Sequence, residues 1–144
     1  MSTTHVRPAT AADLPVMREL LGQLGYALDA ATMEQRYAAF VAAGEQVLVA
    51  ERDGQVIGLA TLHQTPALHR AGAVGRVTAL VVRDSARGTG AGAALMREAE
   101  ARLTAAGCVL IEVTSNRRRL DAHAFYERLG YEGSGIKFTR PLPP

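Results

Sequence analysis

The stretch VTALVVRDSARGTGAGAALMREAEARLTAA, residues 77–106, decides the fold. Residues 77–82 are apolar or β-branched, which predicts a strand, whereas Leu95, Met96, Ala99 and Leu103 recur at helical spacing. Between the two lies Arg87-Gly88-Thr89-Gly90-Ala91-Gly92. Its alternate glycines let the backbone approach a ligand without Cβ clashes, and they hand over to a helix whose first N–H groups have no internal partner. Unpaired amides, the positive end of a helix dipole and the charge of Arg87 together predict a phosphate cradle.

Two designs place such a cradle after a strand. Gly88, Gly90 and Ala93 match the dinucleotide fingerprint G-x-G-x-x-G/A, with Glu112 near the end of the next strand as a ribose-binding acid, which would make the chain an oxidoreductase. Against it, Arg83-Asp84-Ser85-Ala86-Arg87 intervene, too long a link for a fold that turns into its first glycine almost directly from the strand. The second design is Arg87-x-x-Gly90-x-Gly92. It resembles the R/Q-x-x-G-x-G/A pyrophosphate loop of the GNAT-type N-acetyltransferase superfamily, including the apolar strand ahead of it.

Composition is consistent with one globular domain over residues 1–144: 48% of the chain is hydrophobic and 21% charged. A net charge of +2 is too small for a nucleic-acid footprint, whereas an anionic small molecule remains compatible. The one cysteine, Cys108, sits in an apolar run, so no internal disulfide is available and a reducing compartment fits. The N-terminal stretch has no apolar signal region and no segment approaches membrane-spanning length; the expectation is a soluble cytoplasmic protein with no membrane partner.

In chain order, residues 5–8 read as a short extended piece. A helix follows with Thr10 as N-cap, Asp13 three residues on, and Leu14, Met17, Leu20, Leu21 and Leu24 as its apolar stripe. A second helix, residues 30–42, carries Met33, Tyr37, Phe40 and Val41 on one side and stops at Gly44. Residues 46–52 and 55–62 read as strands, and Asp53-Gly54 between them signals an antiparallel hairpin. Residues 64–75 lack a period and read as a loop. Residues 108–114 form a second β-branched run, parallel to 77–82 because a helical crossover separates them. Leu120, Ala124, Phe125 and Leu129 define a last helical face capped by Gly130, and residues 136–142 read as a final strand.

That last helix supplies a second anchor. Ala122-His123-Ala124-Phe125-Tyr126-Glu127-Arg128-Leu129-Gly130-Tyr131 is similar to the family's A-x-x-F/L-Y-E-x-L/G-G-F/Y helix, and the order of elements agrees along nearly the whole chain. The resemblance implies an α/β (α+β) fold: a mixed sheet with antiparallel N-terminal strands, a central parallel pair splayed around the β-α-β pyrophosphate loop, and flanking helices. It also implies acetyl-CoA as co-substrate, with direct attack by a primary amine in a ternary complex. Carried over, Leu80, Val81 and Val82 would offer backbone groups to the pantetheine arm, and Arg87, Gly88, Thr89, Gly90, Ala91 and Gly92 would hold the pyrophosphate. The acceptor would be a small-molecule amine or a peptide, and a homodimer is compatible with the fold. The alternative class is a non-catalytic acyl-CoA-binding or sensor module.

The implied chemistry needs a neutral nitrogen, a polarised thioester and a proton for the departing thiolate. Tyr126 matches the family position for that acid; a phenol with a reference pKa of ~10 can donate to a thiolate of ~8.5. The competing reading is a packed aromatic with its hydroxyl satisfied. Some relatives carry a glutamate base on the strand before the loop, but Thr78 and Ala79 cannot serve. Glu112, the one carboxylate in an apolar strand, is the candidate, since burial would raise its pKa. His123 reads as a structural hydrogen-bonder, His63 and His69 fall on the substrate side, and the four histidines lack ligand spacing for a metal. Many relatives place a cofactor-contacting asparagine where Arg119 stands here, while Asn116 comes three residues earlier, so that role is not transferred.

Overall fold

Gln46–Arg52 (β2) and Gln55–Thr65 (β3) pair antiparallel, and the two residues between them, Asp53 and Gly54, take φ of +53° and +76°. Positive φ at both positions is the type I′ turn, whose twist matches that of the strands it joins. The computed structural model describes residues 3–114, 120–135 and 137–144 and divides into two units, Met1–Thr114 and Ser115–Pro144.

The first unit holds a five-stranded mixed sheet. His5–Pro8 (β1) pairs antiparallel with β2, Ala73–Val82 (β4) antiparallel with β3, and Cys108–Val113 (β5) parallel with β4, in the order β1-β2-β3-β4-β5. The helices are Leu14–Gln23 (α1), Ala30–Ala42 (α2) and Ala91–Ala105 (α3), with short 3-10 turns at Ala11–Asp13 and Asp84–Ala86.

The expected loop over residues 64–75 shortens to 66–72. Cross-strand pairs Thr65↔Val74, Gln64↔Gly75 and His63↔Arg76 extend both strands where the local sequence has no period. Gly75 suits this place because a Cβ there would stand 2.7 Å from Leu103 Cδ1. The same close approach recurs at Gly58, whose Cβ would meet Leu95 Cδ1 at 3.0 Å.

Both faces of the sheet are covered over its central strands β2–β4. On one, the buried side chains of Leu95, Met96, Ala99 and Leu103 seat α3. On the other, Met17 and Leu20 of α1 and Met33 of α2 form one cluster with Val49, Leu59 and Val81, and Tyr37 and Leu28 pack against it. At ~25 cal/mol per Å2 of apolar surface, each fully buried Leu or Met adds roughly 1.5–3 kcal/mol, and this cluster is what holds α1 and α2 to the sheet. Val41, placed by its spacing with Met33 and Tyr37, is instead 49% exposed.

Arg7 locks the start of α1 to the strands. Its guanidinium grips Asp13 with two hydrogen bonds, 2.8 Å from Nη1 and 3.0 Å from Nη2, while Nε donates to Glu51 at 2.8 Å. Asp13 Oδ2 also accepts the Thr10 N–H at 2.8 Å, the closure expected at that N-terminus.

In the second unit, Leu120–Arg128 (α4) ends in a left-handed Gly130 (φ +93°), with Tyr131 N–H bonded to Tyr126 O at 3.0 Å and Gly130 N–H to Glu127 O at 3.0 Å. That pair of bonds is a Schellman cap. The final strand expected over residues 136–142 is not formed at 137–142, and Phe138 and Leu142 are exposed. An extended segment makes a strand only where an edge receives its amides, and Pro141 lacks one. Asn116, Arg119 and Ile136 lie outside the described residues.

Candidate active site

β4 changes partners along its length. Its ladder with β5 runs up to Val77↔Val113 and ends, while its pairing with β3 continues to Gly58↔Val82. At the same point the β3 register slips between Thr61↔Ala79 and Leu62↔Val77, leaving Thr78 as an extra residue. Such a bulge bends the strand and ends regular pairing. The Thr78 hydroxyl lies 2.7 Å from Thr61 Oγ1 and 3.3 Å from Thr61 O, fixing the bulge to β3.

Beyond the bulge, one edge of β4 therefore has no ladder partner among the described residues. Arg83 N–H donates to Ile57 O at 2.7 Å, which sets the antiparallel alternation: Ala79 and Val81 turn their backbone groups to β3, and Leu80 and Val82 turn theirs to the open edge. The Val82 carbonyl is already taken by Gln23 Nε2 at 2.7 Å, and Gln23 Oε1 accepts Asp84 N–H at 3.1 Å. Of the expected trio, Leu80 and the Val82 amide thus face the opening, whereas the Val81 side chain is buried in the core.

The strand leads into the cradle. The 3-10 turn Asp84–Ala86 buries Ala86, and Thr89 Oγ1 donates to Ala86 O at 2.6 Å. Gly88 and Gly90 adopt φ of +80° and +86°, and a Cβ at either meets nothing within 4 Å. Here glycine serves backbone conformation and leaves open space for a ligand. Ala94 N–H to Gly90 O, 3.0 Å, is the first bond of α3, so the amides of Ala91, Gly92 and Ala93 precede the intrahelical ladder. Arg87 Nη2 lies 3.0 Å from Asp84 Oδ1, with both side chains largely in solvent, and Arg52 Nη1 lies 3.5 Å from Thr89 O. Nothing in the local sequence around Arg52 marks it for this rim; the hairpin register carries it there.

These features fit acetyl-CoA: unpaired helix-start amides, left-handed glycines and two nearby arginines suit a pyrophosphate, and an unpaired strand edge suits an amide-bearing arm.

On the α1/α2 side, next to the end of the β4–β5 ladder, Arg76 Nη2 lies 2.9 Å from Glu112 Oε2. The burial expected of Glu112 is absent: its side chain is 43% exposed, because β5 is an edge strand of this sheet. A cavity of about 500 Å3 opens there, bounded by Thr65, the 66–70 loop, Val74, Arg76 and Glu112. Arg70 lies on that wall and has no ion pair among the described residues, and His69 lies beside it. His63 Nδ1 lies 2.7 Å from Glu45 Oε2 and its Nε2 2.7 Å from Thr65 Oγ1. The Glu45 contact depends on register and a helix end distant in sequence, so only the β3 pair, two residues apart on one strand face, was open to sequence reading.

Electrostatic perturbation concentrates in the Arg7 clamp instead. Hydrogen bonds from Arg7, followed in effect by the Thr10 amide, hold the Asp13 carboxyl below the usual range, and the carboxylates of Asp13 and then Glu51 push Arg7 up. These shifts belong to the ion pairs that join β1, β2 and the start of α1. In the second unit, the Tyr126 ring contacts those of Phe125 and Tyr131 edge-on, at centroid distances of 5.1 and 6.0 Å. Cys108 is half-buried at the start of β5. Among the described residues no group of three His, Cys, Asp or Glu side chains is placed to hold a metal, and no helix is long and apolar enough to cross a membrane.

Residues 14–131 match the model of the Acetyltransferase (GNAT) family. Aminoalkylphosphonate N-acetyltransferase of Salmonella typhimurium is 40% identical over 94 residues, which is 65% of this chain and 61% of that relative's length. The crystal structure of a Trypanosoma brucei acetyltransferase superposes with a TM-score of 0.84 at 27% identity, covering 97% of this chain and 100% of that one. An aminoglycoside N-acetyltransferase in complex with CoA gives 0.87 at 19% identity, covering 98% and 96%, a likeness of fold.

Proposed function

The chain belongs to the Acetyltransferase (GNAT) family, and on that footing we propose that it transfers the acetyl group of acetyl-CoA to the primary amine of a small acceptor bearing an anionic group. The family match runs from residue 14 to residue 131, which supports treating the chain as one acetyltransferase domain.

The observation that carries the acceptor class is the cavity at the end of the β4–β5 ladder. Arg70 and Arg76 stand on its wall against one carboxylate, Glu112, so it holds an excess of positive charge. Planar guanidinium groups suit a phosphonate, phosphate or carboxylate, which they bind with paired hydrogen bonds. The relative's action on aminoalkylphosphonates supports the same class. In this reading the acceptor's anion lies against Arg70 and Arg76, and its ammonium is drawn toward Glu112. Because the Glu112 carboxylate is already engaged by Arg76, binding suits it better than the base role inferred from sequence.

Bound acetyl-CoA supplies the thioester. The amides of Ala91 and Gly92, with Gly88, Thr89, Gly90 and Arg87, hold the pyrophosphate; Leu80 and Val82 present backbone groups to the arm, while Val81 contributes a core side chain. Tyr126 keeps the role implied by the family motif, donating its phenolic hydrogen to the departing sulfur.

The test is kcat/KM across matched amines with and without an anionic group, with peptides as a third arm. Preference for the anionic amines by at least tenfold supports the reading, and preference for neutral amines or peptides contradicts it.

A further inference from the structure

Glu45 leaves α2 through a left-handed Gly44 (φ +83°), with its own N–H bonded to Phe40 O at 3.2 Å and Gly44 N–H to Val41 O at 3.0 Å. This Schellman closure fixes the backbone from which Glu45 reaches β3. Its Oε2 lies 2.7 Å from His63 Nδ1, and His63 Nε2 lies 2.7 Å from Thr65 Oγ1. A carboxylate only accepts, so Nδ1 carries the hydrogen and Nε2 is left to accept the Thr65 hydroxyl. The side chain of Glu45 is 15% exposed and that of His63 42%, which puts the orienting end in protein and the working end toward solvent. Thr65 in turn forms part of the wall of the cavity that holds Arg70 and Arg76. His63 also pairs in register with Arg76, one rung from the level at which the β4–β5 ladder ends, and Arg76 is itself engaged by Glu112.

We propose that Glu45, His63 and Thr65 form a relay that removes the proton of the acceptor's ammonium, with His63 as the base, Thr65 as the contact to the acceptor and Glu45 as a positioning residue. This rests on the acetyltransferase reading and supplies the base that Thr78 and Ala79 cannot. The ammonium N–H passes its hydrogen to Thr65 Oγ1 as the Thr65 hydrogen moves to His63 Nε2. The nitrogen lone pair then forms the C–N bond, the C–S bond breaks with its electron pair on sulfur, and the thiolate takes one proton. The amine loses its second hydrogen on becoming an amide, and the imidazolium returns its proton to solvent. The arrangement has the logic of a carboxylate-oriented imidazole acting through a hydroxyl.

Steady-state turnover of His63→Ala and His63→Gln, with whichever amine the unmodified protein acetylates fastest, tests the relay. The expected result is a fall in kcat of ~10²-fold or more with the KM for acetyl-CoA unchanged, and recovery by added imidazole in His63→Ala but not in His63→Gln. Glu45→Gln should lose about tenfold without imidazole rescue. Full turnover by His63→Ala, or a loss that imidazole does not restore in a variant that still binds acetyl-CoA, overturns the relay. Imidazole 15N shifts give a reading independent of activity: hydrogen on Nδ1 in the unmodified protein, altered by Glu45→Gln, is expected, and hydrogen on Nε2 overturns the proposal. A protein that acetylates only uncharged amines contradicts the anionic acceptor, while the rescue and the shifts still decide the relay.

Discussion

Arg76 and Glu112 face each other across the rung next to the last between the two parallel strands, with Nη2 2.9 Å from Oε2. One rung further, at Val77↔Val113, the ladder stops and the open edge of β4 begins. The pair therefore stands beside that opening, on the wall of the cavity proposed for the acceptor. Arg76→Ala should raise the KM of an anionic acceptor roughly 10- to 100-fold, the loss of one charge-assisted hydrogen bond worth ~1.5–3 kcal/mol. Acetyl-CoA affinity should not change. Stability should fall by under ~1 kcal/mol, since both side chains are about half exposed. Steady-state kinetics and a urea titration check both.

Gly90→Val should weaken acetyl-CoA binding. At φ +86° the substitution costs ~1–2 kcal/mol of backbone strain in its own right, although a Cβ there meets nothing within 4 Å. The control is Gly107→Val, at φ +94° and also open, at the far end of the same helix. Calorimetric titration with acetyl-CoA should show at least tenfold weaker binding for Gly90→Val and unchanged binding for Gly107→Val. Equal affinities would reduce the loop to a helix start.

The Arg7 clamp predicts how stability responds to acid. Asp13 has a folded-state pKa below its unfolded value of ~3.9, so its contribution is complete above that value and fades as pH falls through the lower one. Arg7 stays charged throughout and adds no slope in this range. Asp13→Asn should cost about 2 kcal/mol at pH 7. The gap to the unmodified protein should close below about pH 4. Urea unfolding from pH 7 to pH 2 measures it, and a gap independent of pH would contradict the assignment.

Features set by short sequence signals were legible. Asp53-Gly54 specified the hairpin through its turn type, Thr10 and Asp13 marked the start of α1, and the change of period across residues 77–106 located β4, the cradle and α3. What depends on pairing between distant residues was not. The bulge at Thr78, the start of β4 at Ala73, and the contacts of Arg76 with Glu112 and of His63 with Glu45 follow from register, which no local pattern carries. The expected burial of Glu112 failed for the same reason, because an apolar strand sequence does not tell an edge from a centre. The expectation of a strand over residues 136–142 erred in the opposite sense, since residues 137–142 form none.

Tyr126→Phe keeps the ring that contacts Phe125 and Tyr131 and removes only the hydroxyl. If the hydroxyl is the acid, kcat should fall ~10²-fold, with acetyl-CoA affinity and melting temperature little altered. Unchanged turnover would make Tyr126 a packing aromatic.

The central claim is tested most directly by following free thiol and acetylated amine together when the unmodified protein is mixed with acetyl-CoA and an aminoalkylphosphonate. The account predicts catalytic release of one thiol per amide formed, accompanied by a rise in melting temperature with acetyl-CoA that NAD and NADP do not produce. Binding of acetyl-CoA without thiol release for any amine or peptide would contradict it in favour of a sensor module, and a melting shift with NAD or NADP alone would restore the dinucleotide reading of the glycine loop.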